Sequence, residues 1–178
     1  MTVTAWVPSP QPVLWLTGLS GAGKSSIAQA LCQQMCQQGR PSVVLDGDEL
    51  RSGLTRDLGF SAADRAENVR RTAAVAKLMA DAGLVIIVAL ISPFRADRDL
   101  ARALFEPGRF IEVFVDTPLA VAEQRDPKGL YRRARQGLLP AFTGISSPYE
   151  PPLSPEVHLQ TTQYSVKQAV AVLSARLG

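Results

Sequence analysis

Cysteine is scarce in this chain of 178 residues, with two, and histidine scarcer, with one. Cys32 and Cys36 stand four apart on one predicted helix, and no second Cys or His cluster completes a metal-ligand set. That excludes a disulfide framework and a structural zinc site, and leaves two reduced thiols on a helix face. The lone His158 has no partner motif and reads as structural or incidental. Aromatic residues make up only 6% of the chain, and basic residues are not interleaved with them, which argues against a nucleic-acid surface. Long hydrophobic runs are missing too. The longest, Leu84 to Ile91, is far too short to span a bilayer. Met1 to Pro12 is short, proline-rich and uncharged, unlike a signal or transit peptide, so a cytoplasmic location is expected.

What is present begins with Gly18 to Ser25, Gly-Leu-Ser-Gly-Ala-Gly-Lys-Ser, which fits the P-loop pattern G-x-x-x-x-G-K-[ST] in full. The preceding Val13 to Thr17 is apolar like a buried strand, and Lys24 to Gln38 has helical spacing. A P-loop needs that context, because it aims backbone N–H groups at phosphate oxygens from a helix N-terminus. Gly18, Leu19, Ser20, Gly21, Ala22, Gly23, Lys24, Ser25 and Ser26 are therefore the candidate triphosphate cradle. Lys24 would reach the β/γ-phosphates and the Ser25 hydroxyl would take Mg²⁺. A glycine-rich turn that binds nothing would need none of these partners together.

The length and the 46% apolar content suit one α/β domain, residues 1–178, with a full three-layer core. Strands and helices alternate, which predicts a mostly parallel five-stranded sheet covered on both faces. The strands are Val13–Thr17, Ser42–Leu45, Leu84–Ile91, Phe110–Val115 and Val157–Thr161. A long helix follows Ser61, whose Ser-Ala-Ala-Asp is a capping box with Asp64 in the Glu position, and ends at Gly83. Val69, Ala73, Ala76 and Ala80 form its core stripe, while Arg65, Asn68 and Arg71 share another side and can face a ligand. A closing helix spans Val166 to Leu177 with Ser165 as N-cap. Residues 125–155 carry repeated Pro and Gly with basic residues between them. A structureless stretch of that length in a compact domain reads as an active-site lid.

Net charge is only +3, but arginines crowd the middle of the chain, from Arg51 through Arg102, and again from Arg125 to Arg135. Each alone is best read as a solvated helix face; together they suggest a polyanionic small-molecule ligand. The short domain, the basic lid and the lack of an N-K-x-D guanine motif favour a small-molecule kinase. In such an enzyme the lid excludes water that would otherwise take the phosphoryl group. Asp46 and Asp48 follow strand two, at the strand end where open α/β sheets bind ligands. Either carboxylate can accept a hydroxyl proton or hold Mg²⁺ through water, or simply cap the next helix. From the residues alone the reading stops at a kinase acting on a small anionic acceptor.

The motifs carry it further. The chain resembles the adenylyl-sulfate kinase (APS kinase) family from about Pro12 to Leu159. The resemblance rests on GLSGAGKS (18–25), LDGDELR (45–51), LGFS (58–61) and DRAENVRR (64–71). It continues in ALISPFRADRD (89–99), EVFVDTPL (112–119), RDPKGLYRRAR (125–135) and FTGISSPYEPP (142–152). It implies phosphorylation of the 3′-hydroxyl of adenosine 5′-phosphosulfate (APS) by ATP, giving PAPS, in sulfate assimilation. Magnesium, an ATP co-substrate and a homodimer come with it; neither nucleic acid nor membrane does. Asp46 would lie near the attacking hydroxyl, supported by Asp48. Arg51, Arg65 and Asn68 match residues that hold APS, Phe60 and Phe142 match aromatics around its adenine, and Ile91 and Ser92 match acceptor-contacting positions. Ser92 also matches a serine that the family carries as a phosphorylated intermediate, a role that in-line transfer between two bound nucleotides does not need. Lys128, with Arg125, would belong to the lid. The family usually has Asn and His where this chain has Glu49 and Ser52, and a Glu49 turned inward would oppose an anionic substrate. The alternative from another class is a nucleotide-binding regulatory module that kept the fold and lost transfer.

Overall fold

Two five-residue runs, Val-Leu-Trp-Leu-Thr and Val-Ile-Ile-Val-Ala, are buried at every position, as strands covered on both faces must be. In the computed structural model, which describes residues 9–177, they are β1 (Val13–Thr17) and β3 (Val85–Ala89) at the middle of one sheet. The expectation for the first residues of Met1 to Pro12 lies outside the described residues. Beside β3 runs β2 (Ser42–Asp46); beyond β1 come β4 (Phe110–Asp116) and β5 (Val157–Gln160). The order is β2-β3-β1-β4-β5 and every pair is parallel.

Helices cover both faces. On one, α1 (Lys24–Gln37) sends Ile27, Ala28, Leu31 and Met35 into a core shared with the closing helix, α7 (Val166–Arg176). On the other, α3 (Ala62–Asp81) buries Val69, Ala73, Ala76 and Ala80 against Trp15, Ile86 and Val88, beside α4 (Arg95–Arg102). A short α2 (Gly47–Ser52) follows β2. The alanine stripe was expected, and so was the start of α3. The Ser61 hydroxyl accepts from the Asp64 amide at 3.1 Å, and the Asp64 carboxylate reaches back to the Ser61 amide at 3.3 Å.

Three differences from the expected pattern have local causes. β3 is shorter than Leu84–Ile91 because the Leu84 amide closes the α3 terminus on Met79 O, while Ile91 turns its carbonyl to the Thr17 hydroxyl. α4 was not expected; its sequence, RADRDLAR, is mostly charged and hides its apolar side. The 125–155 stretch is not structureless. It follows α5 (Leu119–Arg125) and holds α6 (Leu130–Arg135), which buries Tyr131 and Ala134, and Thr143 is buried further on.

Replacing Ser61 with Ala removes the capping hydroxyl at the head of the longest helix, and should cost about 1 kcal/mol in urea unfolding. A loss below about 0.3 kcal/mol would show that packing alone holds that end.

Candidate active site

β1 delivers the chain into the loop at the carboxyl edge of the sheet. Gly18 passes so close to β4 that a Cβ there would lie 2.4 Å from the Val115 carbonyl oxygen. Gly23, with φ +103°, turns the loop into α1 and serves as its N-cap. Lys24 is the first helical residue and only 8% exposed; its Nζ donates to the carbonyls of Gly18 (2.8 Å) and Leu19 (2.7 Å). Burial pushes its ammonium down to about 8, against the pull of Asp46.

The next residue ties two strands together. Ser25 Oγ donates to Asp46 Oδ2 at 2.5 Å, and Asp46 Oδ1 accepts the Asp48 amide at 2.9 Å. Asp46 therefore caps α2 with one oxygen and faces the loop with the other. The capping and ligand-facing alternatives for this carboxylate do not compete.

A cavity of about 1050 Å³ opens over these groups. Ser20, Gly21, Ala22, Gly23, Lys24, Ser25 and Ser26 line one end, with Gly18 and Leu19 beneath as the carbonyls that hold Lys24. Arg51, Phe60, Arg65, Asn68 and Phe142 line the other, with Ile91 and Ser92 on the wall between. Here Arg65 donates to the carbonyls of Phe60 (3.0 Å) and Ala141 (2.8 Å), and Arg51 to those of Leu58 (3.3 Å) and Gly59 (3.2 Å). The Arg51 guanidinium lies 4.4 Å from the Phe60 ring centre. Among the described residues neither arginine has a carboxylate in salt-bridge range; burial lowers both from their ordinary value, with Asp48 and Asp64 pulling against it at Arg51 and the Arg51 charge adding to it at Arg65. Two such cations held by backbone dipoles form a receptor for an anion. Asn68 Oδ1 and Thr143 Oγ1, both on the lining residues, are buried without a hydrogen-bond partner.

Part of the stretch expected as a lid, between Arg125 and Thr143, contributes to the lining of this cavity. Lys128 pairs with Asp48 across the mouth, the Tyr131 hydroxyl donates to Ser20 O at 2.9 Å, and Phe142 packs edge-on against Tyr131 at 5.1 Å. Arg125 also lines the cavity and reaches the Thr161 carbonyl at 3.4 Å.

Other expected groups lie elsewhere. Arg71 turns away from the cavity to Asp57 (2.7 Å) and Glu67 (2.8 Å). Arg98 and Arg102 pair with Glu112, and Arg135 with Glu123, so these members of the two arginine clusters serve internal ion pairs. Asp116, at the end of β4, bonds His158 at 2.9 Å, and that ring stacks on Phe114. Glu49 is exposed and off the lining, so it does not oppose an anion inside. The sequence reading missed the wall formed by Thr161, Tyr164, Ser165 and Val166 at the head of α7. The Ser165 cap was legible, but not that this helix end borders the P-loop.

The family profile described as Adenylylsulphate kinase matches residues 11–160. The chain belongs to that family. It is 61% identical over 165 residues to an adenylyl-sulfate kinase of Burkholderia ambifaria, covering 93% of this chain and 91% of the relative. It is 58% identical to the adenylyl-sulfate kinase of Geotalea daltonii, over 89% and 78% of the two chains. The Mycobacterium tuberculosis APS kinase CysC, solved in complex with AMPPNP and APS, superposes with a TM-score of 0.91 at 46% identity, covering 96% of this chain and 99% of that one. This cavity holds two separate anion receptors, a phosphate loop with its lysine and an arginine pair.

Gly18→Ala puts a methyl group into the Val115 carbonyl at a φ of +150°. The variant should lose about 2 kcal/mol or more of stability, together with nucleotide affinity. Thermal unfolding and ATP titration within error of the wild type would show that the loop has room to shift.

Proposed function

We propose that this chain transfers the γ-phosphoryl group of ATP to the 3′-hydroxyl of APS, giving PAPS and ADP, as one kinase domain over residues 1–178 with its lid at about 125–155. The observation that carries the reading is the pairing, in one cavity, of the P-loop lysine with two guanidiniums that, among the described residues, have no carboxylate in salt-bridge range. Family membership then names the anion those guanidiniums serve.

ATP phosphates lie along the amides of residues 18–26, and the Lys24 ammonium, freed from two loop carbonyls, faces the transferring group. The ATP base takes the wall of Thr161, Tyr164 and Val166, next to Arg125. The Ser25 hydroxyl beside the Asp46 carboxylate is a set of hard oxygens that suits Mg²⁺; Ser25 would hold the ion, whose charge would offset that of the phosphates. APS lies at the far end, its phosphosulfate on Arg51 and Arg65, its adenine between Phe60 and Phe142, and its polar edge toward Asn68. Asp46 Oδ1 accepts the Asp48 amide and Oδ2 the Ser25 hydroxyl; with Ser25 turned to the ion, Oδ2 is the oxygen left to accept the proton of the attacking hydroxyl. Asp48 holds Lys128 and with it the lid. Ser92 is 4% exposed and its Oγ accepts from the Trp15 indole at 3.0 Å, which makes it a wall residue rather than a nucleophile. Lid closure keeps water from the phosphoryl group.

Two reduced thiols and the absence, among the described residues, of a helix long and apolar enough to cross a membrane support a cytoplasmic enzyme. The homodimer is carried by the family resemblance alone, and light scattering on the purified protein decides it.

The deciding assay follows ADP release from ATP and Mg²⁺ with APS, with AMP, or with no acceptor. Release that needs APS supports the reading. Release only with AMP replaces the acceptor, and ATP binding without turnover supports a regulatory module. Lys24→Ala should lower kcat by about 10²-fold or more, and turnover within a few-fold of wild type would remove Lys24 from the reaction. Arg65→Ala should raise KM for APS about tenfold with KM for ATP unchanged, and an equal rise in both would move Arg65 to the ATP side.

A further inference from the structure

A buried polar network lies under the Ile91–Pro93 wall. Ser92 has φ +39°, a conformation that costs a non-glycine residue energy and persists only where its surroundings impose it. Its side chain is held by Trp15, and its carbonyl accepts from Arg98 Nη1 at 2.7 Å. Arg98, on α4 and 2% exposed, also donates Nε to Glu112 Oε1 at 2.6 Å and Nη2 to the Glu150 carbonyl at 2.8 Å.

That division of donors is informative. A buried arginine that serves only as an ion pair offers its carboxylate the two-pronged fork. Arg98 gives Glu112 one donor and uses two others on main-chain carbonyls of separate segments, the cavity wall and the end of the lid. Further bonds join the same two segments. The Glu150 amide donates to Pro93 O at 2.8 Å, and the Arg95 amide to Glu150 Oε2 at 2.8 Å. Thr17 Oγ1 donates to Ile91 O at 2.7 Å and meets the Tyr149 hydroxyl at 3.0 Å.

We infer that Arg98 is a positioning residue, fixing the Ile91–Pro93 wall to residues 149–151 so that the acceptor end of the cavity takes shape only when the end of the lid is seated. The kinetic part of this inference rests on the APS assignment above.

The test is Arg98→Lys, which keeps a charge for Glu112 but cannot point three ways at once. Expected is a rise of about tenfold in KM for APS with KM for ATP within about twofold. Amide exchange should quicken in segments 90–94 and 148–152 together, and not in 18–25. Arg102→Lys is the control, since Arg102 pairs with the same Glu112 (3.2 Å) and with Glu156 (2.6 Å) but bonds neither the wall nor the lid. Unchanged exchange in both segments, equal rises in both KM values, or the same pattern from Arg102→Lys overturns the inference. Should Arg98→Lys fail to fold, Tyr149→Phe removes one hydroxyl of the bridge from the lid side. It should shift both readouts the same way, by about threefold in KM, and no shift in either overturns the inference. Exchange needs no acceptor. A wild-type enzyme that ignores APS therefore sinks the acceptor assignment, and the exchange pattern still decides the role of Arg98.

Discussion

A fully parallel sheet delivers every strand's next residues to one edge, and everything described at the cavity depends on that constraint. β1 at the centre hands over the phosphate loop, β3 beside it the Ile91–Ser92 wall, and β2 beyond that Asp46. The 2.5 Å bond from Ser25 to Asp46 joins the first of these deliveries to the last. It crosses the carboxyl end of β3, and so fixes how far α2 and its Arg51 stand from the loop. Neither residue could do this from a sheet with antiparallel neighbours, where alternate strands would hand their residues to the opposite edge.

Charge in this molecule acts through what it lacks. Among the described residues, five of the twelve crowded arginines are committed to carboxylates: Arg70 and Arg71 to Glu67, Arg98 and Arg102 to Glu112, Arg135 to Glu123. The exposed ones, Arg70 with Glu67 and Arg135 with Glu123, contribute little to stability. Arg51 and Arg65 instead bond only carbonyl oxygens, which orient a guanidinium without neutralising it. The net charge of +3 conceals this arrangement, because it counts the committed and the uncommitted alike.

The sequence showed the sheet well, since continuous apolar runs bounded by Gly, Pro and Asp admit few other readings. It showed the P-loop completely and α3 nearly so, because a capping box and an alanine stripe are local signals. It failed where a helix is short and charged. α4 and α6 make their buried contacts through arginine stems, Tyr131 and small residues, which helical periodicity in apolar residues does not register. Spacing correctly put Arg65 and Asn68 on one side of α3, yet Arg71 leaves that side for Asp57, a partner 14 residues away that no helical rule could supply. The head of α7 at the cavity was equally hidden, since contact between the two ends of the chain is a property of the sheet order alone.

Lys24 carries a consequence for solution behaviour. Its burial lowers the ammonium to about 8, so the empty loop holds this proton less firmly than water would. A polyphosphate placed against it restores the charged form, because an anion at contact distance raises the affinity for the proton. Occupying the loop in mildly alkaline solution therefore draws hydrogen ions from the solvent. The heat of nucleotide binding then includes the ionisation heat of whichever buffer supplies them. Two laboratories using different buffers at the same pH would measure different enthalpies for one and the same complex.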